Sequence, residues 1–145
     1  MNNQVIQPKT FVYDDLKIGQ EADFEVFVSE TVVKNFGEIS GDLNPLHLDQ
    51  NYAANTDFKK PIAHGMLAGA YISKLLGMYL PGLYCLYLSQ SLVFKKPIFF
   101  NSKIIIKGKI VQKVDAHKII KIETRVLDEF GDPAVTGEAL VKLLK

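Results

Sequence analysis

Cysteine is almost absent from this sequence, and tryptophan is missing altogether. With the single thiol of Cys85, the chain cannot form an intramolecular disulfide or a metal site made of several cysteines. Cys85 lies in an apolar run between Leu83 and Tyr87. We therefore expect this thiol to pack as a small hydrophobic side chain.

An excess of either charge is also lacking. Seventeen lysines and arginines face 16 aspartates and glutamates, which gives a formal net charge of +1. Such a balance gives no reason to expect nucleic acid or an anionic membrane surface as a general partner.

Long uninterrupted hydrophobic runs are lacking as well. The stretch from Pro61 to Phe94 is apolar on average, but His64, Lys74 and Pro81 interrupt it before the roughly 20 residues that a membrane span needs. Residues 1–10 contain neither a basic stretch nor an apolar core, so they do not resemble a signal peptide. The expected protein is a cytoplasmic enzyme or binding domain.

The sequence does contain enough apolar material for one core. Its 145 residues, 48% of them hydrophobic, fit a single domain over residues 1–145. We expect residues 1–12 to form a loosely ordered N-terminal segment and residues 11–20 to include a first strand and turn. No internal repeat, linker or low-complexity stretch divides the chain.

The first half of the chain has helical features. Ser29 is a candidate N-cap for a helix over Glu30–Ile39, with a buried stripe at helical spacing made of Val32, Phe36 and Ile39. Asp49 is a candidate cap for a short helix that follows. The span from Ile62 to Met78 has so few charges that its helix should be largely buried.

The second half changes to a period of two, which is typical of strands. Isoleucines alternate with lysines from Lys103 onward, and turns at Asp115–His117 and Glu129–Pro133 separate three strands; another strand is predicted over Tyr84–Val93. An antiparallel sheet wrapped around one apolar helix buries both elements. The predicted fold class is therefore α+β.

Between the first helix and the short one lies a loop with chemically useful side chains. Asp42 and His47 are five positions apart, and such a carboxylate and imidazole can hydrogen-bond one water and exchange protons with it. Asn44, beside Pro45, is suited to brace the loop through side-chain to backbone bonds. The spacing alone also fits an ordinary turn with a surface histidine. The histidines and Asp49 do not match a known metal-ligand spacing.

A second feature is Ala63-His64-Gly65 at the start of the long helix. A helix N-terminus offers unpaired backbone N–H groups, and glycine lets a ligand approach them, so the N–H of Gly65 can stabilise an oxyanion. In the simpler interpretation, Gly65 only eases the turn, and His64 caps the helix or is half-buried.

Taken together, Gly41-Asp42-Leu43-Asn44-Pro45-Leu46-His47 and Ala63-His64-Gly65-Met66-Leu67 resemble the MaoC-type (R)-specific enoyl-CoA hydratase family. The Asp-x-Asn-Pro-x-His signature is complete. The segment Phe94–Ile98 is similar to the family's proline-and-corner segment, although Asn101-Ser102 stands where many members carry Gly-Asp. The resemblance extends from about Tyr13 to the end of the chain.

This resemblance implies a hot-dog fold, a curled antiparallel sheet around a long central helix, that pairs into homodimers. It implies that Asp42 and His47 share the water that adds to a trans-2-enoyl thioester, giving an (R)-3-hydroxyacyl product. It further implies that the N–H of Gly65 binds the thioester oxygen and that Asn44 supports the loop. Ser73 matches a pocket position near the thioester, or serves helix packing. No metal or redox cofactor is implied.

The acyl carrier must also be bound. Lys95, Lys96 and Lys103 lie around the Pro97 corner and are candidates for the phosphates of coenzyme A, although lysines at strand ends also keep sheet edges soluble. Leu76 is either a lining residue of the acyl tunnel or part of the core. Acyl carrier protein, with the protein acting as a dehydratase, is the alternative carrier. A non-catalytic acyl-binding subunit is a further alternative.

Overall fold

A computed structural model describes residues 6–145. Within this range, six strands form one antiparallel sheet: β1 Glu21–Val28, β2 Cys85–Gln90, β3 Val93–Phe94, β4 Ser102–Val114, β5 Ile119–Leu127 and β6 Pro133–Leu143. The strand order is β1-β4-β5-β6-β2, and β3 pairs with β6 beside β2. The helices are α1 Glu30–Ser40, α2 Pro45–Leu48, α3 Gln50–Ala54 and α4 Gly65–Lys74, and α4 continues as a π-helical turn over Leu75–Tyr79. The predicted α+β class is confirmed.

The central helix is held by the apolar inner face of the sheet. Leu67, Ile72 and Leu75 are buried on the helical side, and the isoleucines of β4 and β5 are buried opposite them. Full burial of one such side chain contributes about 1.5–3 kcal/mol. Gly108 of β4 brings the layers together, because a Cβ there would lie only 2.7 Å from Cδ2 of Leu75.

Two backbone hydrogen bonds join the N-terminal segment at Lys9 to the end of the central helix and the residues after it, while residues 1–5 lie outside the described residues. The N–H of Lys9 donates to the carbonyl of Met78 at 2.9 Å, and the N–H of Leu83 donates to the carbonyl of Lys9 at 2.8 Å. The predicted strand before Gln20 was wrong. A 3-10 turn forms at Tyr13–Asp15, closed by the Asp15 carboxylate, which accepts from the N–H of Val12 at 3.1 Å.

Helix α1 begins as predicted, with the hydroxyl of Ser29 accepting from the N–H of Val32 at 3.2 Å. The predicted buried stripe was wrong at Ile39, which is 87% exposed. The helix is buried along Val33 and Gly37 instead. Ile39 lies six residues after Val33, about 120° away around the helix, and therefore faces outward.

None of the helices within residues 6–145 is both long enough and apolar enough to cross a membrane.

Candidate active site

The loop after α1 is shaped by short-range hydrogen bonds. Gly41 ends α1 in the left-handed conformation, at φ 76°, which glycine adopts without strain. The N–H of Asp42 donates to the Ser40 hydroxyl at 3.2 Å. Oδ1 of Asp42 accepts from the N–H of Asn44, also at 3.2 Å. The Asp42 carboxylate is thus held by its own loop while remaining exposed.

Asn44 links this loop to α2, the short helix that carries His47. Its Oδ1 caps α2 by accepting from the N–H of Leu46 at 2.9 Å, and Pro45 occupies the first helical turn. Proline suits that position because its missing N–H would have no partner there. The predicted loop therefore contains one helical turn, and this turn sets the direction of the His47 side chain.

The tautomer of His47 follows from its partner. Nδ1 of His47 lies 2.8 Å from the carbonyl oxygen of Ile62. A carbonyl can only accept, so Nδ1 carries the hydrogen and Nε2 is left as a proton acceptor. Half-buried His47 therefore presents a basic nitrogen rather than a donor.

Asp42 and His47 lie close enough to share a ligand. Together with His64, each offers one polar atom, and these atoms lie within 4.8 Å of one another. Two acceptors at this separation can both bind one water at about 2.8 Å with a near-tetrahedral angle. The arrangement fits a bridging water between the carboxylate and the imidazole.

His64 is the residue of this cluster to which the sequence assigned no catalytic role. It was considered as a helix cap, but it makes no side-chain capping bond. It is 3% exposed, and its Nε2–H donates to the backbone carbonyl of Asp42 at 2.8 Å. Its ring stacks on that of His47, with centroids 3.9 Å apart and planes at 30°. The sequence signal that could have indicated its burial was its position at the start of a helix predicted to be largely buried.

The same stacking argues against a metal at this cluster. Ring nitrogens direct their lone pairs in the ring plane, and two rings lying face to face with centroids 3.9 Å apart and planes inclined by 30° do not point them at one central ion. The residues present therefore do not fit a metal centre.

Gly65 begins α4 beside the pair, where its backbone N–H has no partner within the helix. A Cβ at this position would lie 2.9 Å from Cε1 of Phe94. The absence of a side chain therefore lets the Phe94 ring lie against the backbone. Phe94 also borders two adjoining openings, one reaching His47 and the other reaching Asp42.

The opening that reaches His47 has a volume of about 370 Å³. Its wall is mainly apolar, with Ile62, Phe94 and Ile98 among its members, and Lys95 and Lys96 lie at its border. We refer to it as the His47 cleft. An apolar wall with a few polar groups is typical of a small-molecule site.

The predicted carrier-binding lysines are not equivalent. Nζ of Lys96 lies 2.6 Å from a carboxylate oxygen of Asp132 and 3.6 Å from one of Asp128. The hydrogen bond to Asp132 raises the pKa of Lys96. Lys103 instead pairs with Glu25 at 3.3 Å and lies outside the cleft. Within residues 6–145, Lys95 borders the cleft without an ion pair.

The two predicted lining residues on the central helix segment are not brought to the His47 cleft. Leu76 is fully buried in the core. Ser73 is exposed on α4. Neither borders the cleft in the described chain.

The family model described as "MaoC like domain" matches residues 15–129. The chain therefore belongs to the MaoC-like family, and the predicted hot-dog fold is confirmed. It is 41% identical to the (R)-specific enoyl-CoA hydratase of Aeromonas caviae over 88% of this chain and 96% of that protein. It is 36% identical to the enzyme of the same name from Rhodospirillum rubrum, over 89% of each chain.

Solved structures of two R-hydratases have the same fold as this chain. The structure of the Aeromonas caviae (R)-hydratase superimposes with a TM-score of 0.86, covering 88% of this chain and 97% of that one. An unliganded R-hydratase from Pseudomonas aeruginosa superimposes with a TM-score of 0.88 at 37% identity, covering 91% and 84%.

Proposed function

We propose that this protein catalyses the reversible hydration of trans-2-enoyl-CoA to (R)-3-hydroxyacyl-CoA, with Asp42 and His47 activating the water. The observation that carries this proposal is the placement of the Asp42 carboxylate within 4.8 Å of a His47 ring nitrogen, at the N-terminus of α4. The hydro-lyase class predicted from the sequence is confirmed by the relatives.

The chemistry requires one proton and one hydroxyl to be delivered together. Water held by Asp42 and by Nε2 of His47 adds its hydroxyl to C3 of the enoyl group. The pair transfers the remaining proton of that water to C2, so both side chains return to their starting state. In dehydration the same transfers run backward.

Negative charge develops on the thioester oxygen as the hydroxyl adds to C3. The N–H of Gly65 is free of an intrahelical partner and carries the partial positive charge of the α4 N-terminus. A donor placed at this oxygen stabilises the enolate-like transition state more than the ground state. Because the thioester supplies the acidity of C2, this role needs no cofactor.

Coenzyme A is the carrier we propose, because the two curated relatives described above are named as enoyl-CoA hydratases. Lys95 at the border of the His47 cleft is a candidate partner for a phosphate group. Acyl carrier protein stays as the alternative carrier. The cytoplasmic location stays a prediction.

We further propose that two copies of the chain pair through β2. This strand is at the edge of the sheet, and Leu86 and Leu88 on it are 45% and 47% exposed. No charged residue occurs from Leu83 to Phe94. An exposed apolar edge without charges invites strand pairing, and a second copy would cover it. Because Phe94 lies at the end of this stretch, the partner would also adjoin the active site.

The loss of crotonyl-CoA absorbance tests the proposed reaction, with an (R)-specific 3-hydroxyacyl-CoA dehydrogenase reading product configuration. Wild-type protein is expected to hydrate crotonyl-CoA to the (R)-product. Hydration of crotonyl-acyl carrier protein without hydration of crotonyl-CoA would show that the carrier is acyl carrier protein and not coenzyme A. An (S)-product, or a folded protein inactive on both thioesters, would overturn the proposal.

A further inference from the structure

We propose that His64 is a positioning residue that fixes the catalytic pair relative to the oxyanion-binding N–H of Gly65. The inference rests on the proposed function and deepens it, because His64 neither adds the water nor carries the thioester. It acts by holding the loop of Asp42 and the ring of His47 against the start of α4.

The first contact joins the loop to the helix. Nε2–H of His64 donates to the backbone carbonyl of Asp42 at 2.8 Å, and the next residue after His64 is Gly65. The side chain that can bind the water and the N–H that can bind the thioester oxygen are thus connected through one imidazole. Reacting groups displaced by about 1 Å can lose on the order of 100-fold in rate, so this connection affects turnover.

The second contact is with the other member of the pair. The rings of His64 and His47 stack at a centroid distance of 3.9 Å. Phe36 of α1 contacts His64 from another direction, with centroids 5.1 Å apart and planes at 57°. His64 is therefore enclosed, and its ring gives His47 a fixed surface.

Helix α1 is shaped to admit this arrangement. A Cβ at Gly37 would lie 3.2 Å from the Asp42 carbonyl oxygen and 3.5 Å from Cε1 of His64. The first distance is tighter than an ordinary contact and the second is an ordinary van der Waals contact, so a side chain there would press on the acceptor of this hydrogen bond while touching the donor ring. Because Gly37 has no side chain, the Asp42 carbonyl and the His64 ring can lie against α1 and form their hydrogen bond.

The third observation is the other nitrogen of His64. Within residues 6–145, Nδ1 of His64 is the only buried side-chain nitrogen or oxygen without a hydrogen-bond partner. Buried polar atoms are nearly always paired, so this nitrogen sets His64 apart from the other buried side chains of the described residues. Because Nδ1 has no acceptor nearby while Nε2 faces a carbonyl oxygen, the hydrogen belongs on Nε2. That tautomer is the one that donates to Asp42.

Two variants separate the hydrogen bond from the stacking. His64→Gln keeps an N–H donor at about the reach of Nε2 but removes the ring. His64→Phe keeps a ring but removes the donor. His117→Gln is the matched control, because His117 is exposed in the turn between β4 and β5.

With crotonyl-CoA, His64→Phe is expected to lower kcat by about 10- to 100-fold with KM within about threefold of wild type. His64→Gln is expected to recover most of that loss, and His117→Gln to behave as wild type. If Phe prevents folding, His64→Asn takes its place, because its amide is one bond too short to reach. The proposal would be overturned if His64→Gln lost as much kcat as the variant that lacks the donor, His64→Phe or its substitute His64→Asn. It would also be overturned if the variant that lacks the donor kept the kcat of wild type.

A measurement without substrate keeps this inference separate from the proposed reaction. Nitrogen-15 spectra of the three imidazoles are expected to show His47 as the Nδ1–H tautomer and His64 as the Nε2–H tautomer, with assignment from the variants. His64 found with its hydrogen on Nδ1 would overturn the positioning contact, whatever the activity. Failure to hydrate crotonyl-CoA with the expected tautomers present would overturn the proposed reaction and leave the contact standing.

Discussion

Nδ1 of His47 donates to the carbonyl oxygen of Ile62 at 2.8 Å, across a separation of 15 residues. This hydrogen bond joins α2 to the segment that leads into α4. It also leaves Nε2 as the acceptor, so the fold itself selects the tautomer that can take a proton from water. The strongest test of the site therefore changes proton transfer and leaves the backbone contacts intact.

Asp42→Asn preserves the size of the side chain and removes its charge, and His47→Ala removes the base. Each substitution is expected to lower kcat for crotonyl-CoA by about 100-fold or more, which is the usual size of an acid–base contribution. Asp42 is exposed and Asn has the same size, so thermal unfolding of Asp42→Asn followed by circular dichroism should change little. His47→Ala also loses the hydrogen bond to the Ile62 carbonyl, so its melting temperature should fall while the folded spectrum is kept. Full turnover in either variant would remove that residue from the mechanism.

Carrier binding should depend on Lys95 more than on Lys96. Lys95→Ala is expected to raise KM for crotonyl-CoA several-fold with little change in kcat, because it removes a positive charge from the cleft border. Lys96→Ala should have a smaller effect, since its ammonium group is already engaged by Asp132.

Two controls sharpen this comparison. Lys103→Ala should behave as wild type, because Lys103 pairs with Glu25 outside the cleft. Crotonyl N-acetylcysteamine, which lacks the phosphates, should show no KM difference among the three variants. A raised KM for that short thioester in Lys95→Ala would show that Lys95 acts near the acyl group and not on the carrier.

Cys85 should be unreactive near neutral pH. Burial raises the pKa of this thiol to about 11, so at pH 8 only about a thousandth is thiolate, the reactive form. Reaction with Ellman's reagent is expected to be roughly 100-fold slower in the native protein than in urea, where the thiol has an ordinary pKa. The native rate should rise about tenfold per pH unit between pH 7 and 9, and immediate native labelling at pH 7 would contradict this.

Local sequence signals predicted the parts of the fold that short-range physics decides. The Ser29 cap and the Asn44 brace depend on side chains and backbone N–H groups two or three residues apart, so spacing alone identified them. The meander followed from the period of two along β4 and β5. The prediction that Ile39 is buried was wrong, because a helical stripe shows which residues share a face, whereas the neighbouring elements decide which face is covered.

The candidate residues that the sequence named come from short local motifs, and their catalytic roles stay predictions. Asp42 and His47 share a loop, whereas His64 joins them through contacts 17 and 22 residues away in sequence, which no local pattern encodes. The lysines also show that local sequence patterns do not reveal contacts between residues far apart in the chain. Lys95, Lys96 and Lys103 look alike in sequence, yet acidic partners far away in sequence pair with two of them and leave Lys95 at the cleft.

The edge strand β2 gives a test of the proposed homodimer. Leu88→Lys places a charge on an exposed position of the strand, where it should oppose pairing between two copies. Ile18→Lys is the matched control, because Ile18 is also exposed but precedes β1, at the other edge of the sheet. Light scattering after size exclusion is expected to show a dimer for wild type and Ile18→Lys, and a monomer for Leu88→Lys.

If the partner completes the cleft beside Phe94, the Leu88→Lys monomer should also lose turnover, and activity should rise with protein concentration as dimers re-form. A monomeric wild type with full turnover would contradict the pairing and show that one chain carries a complete site.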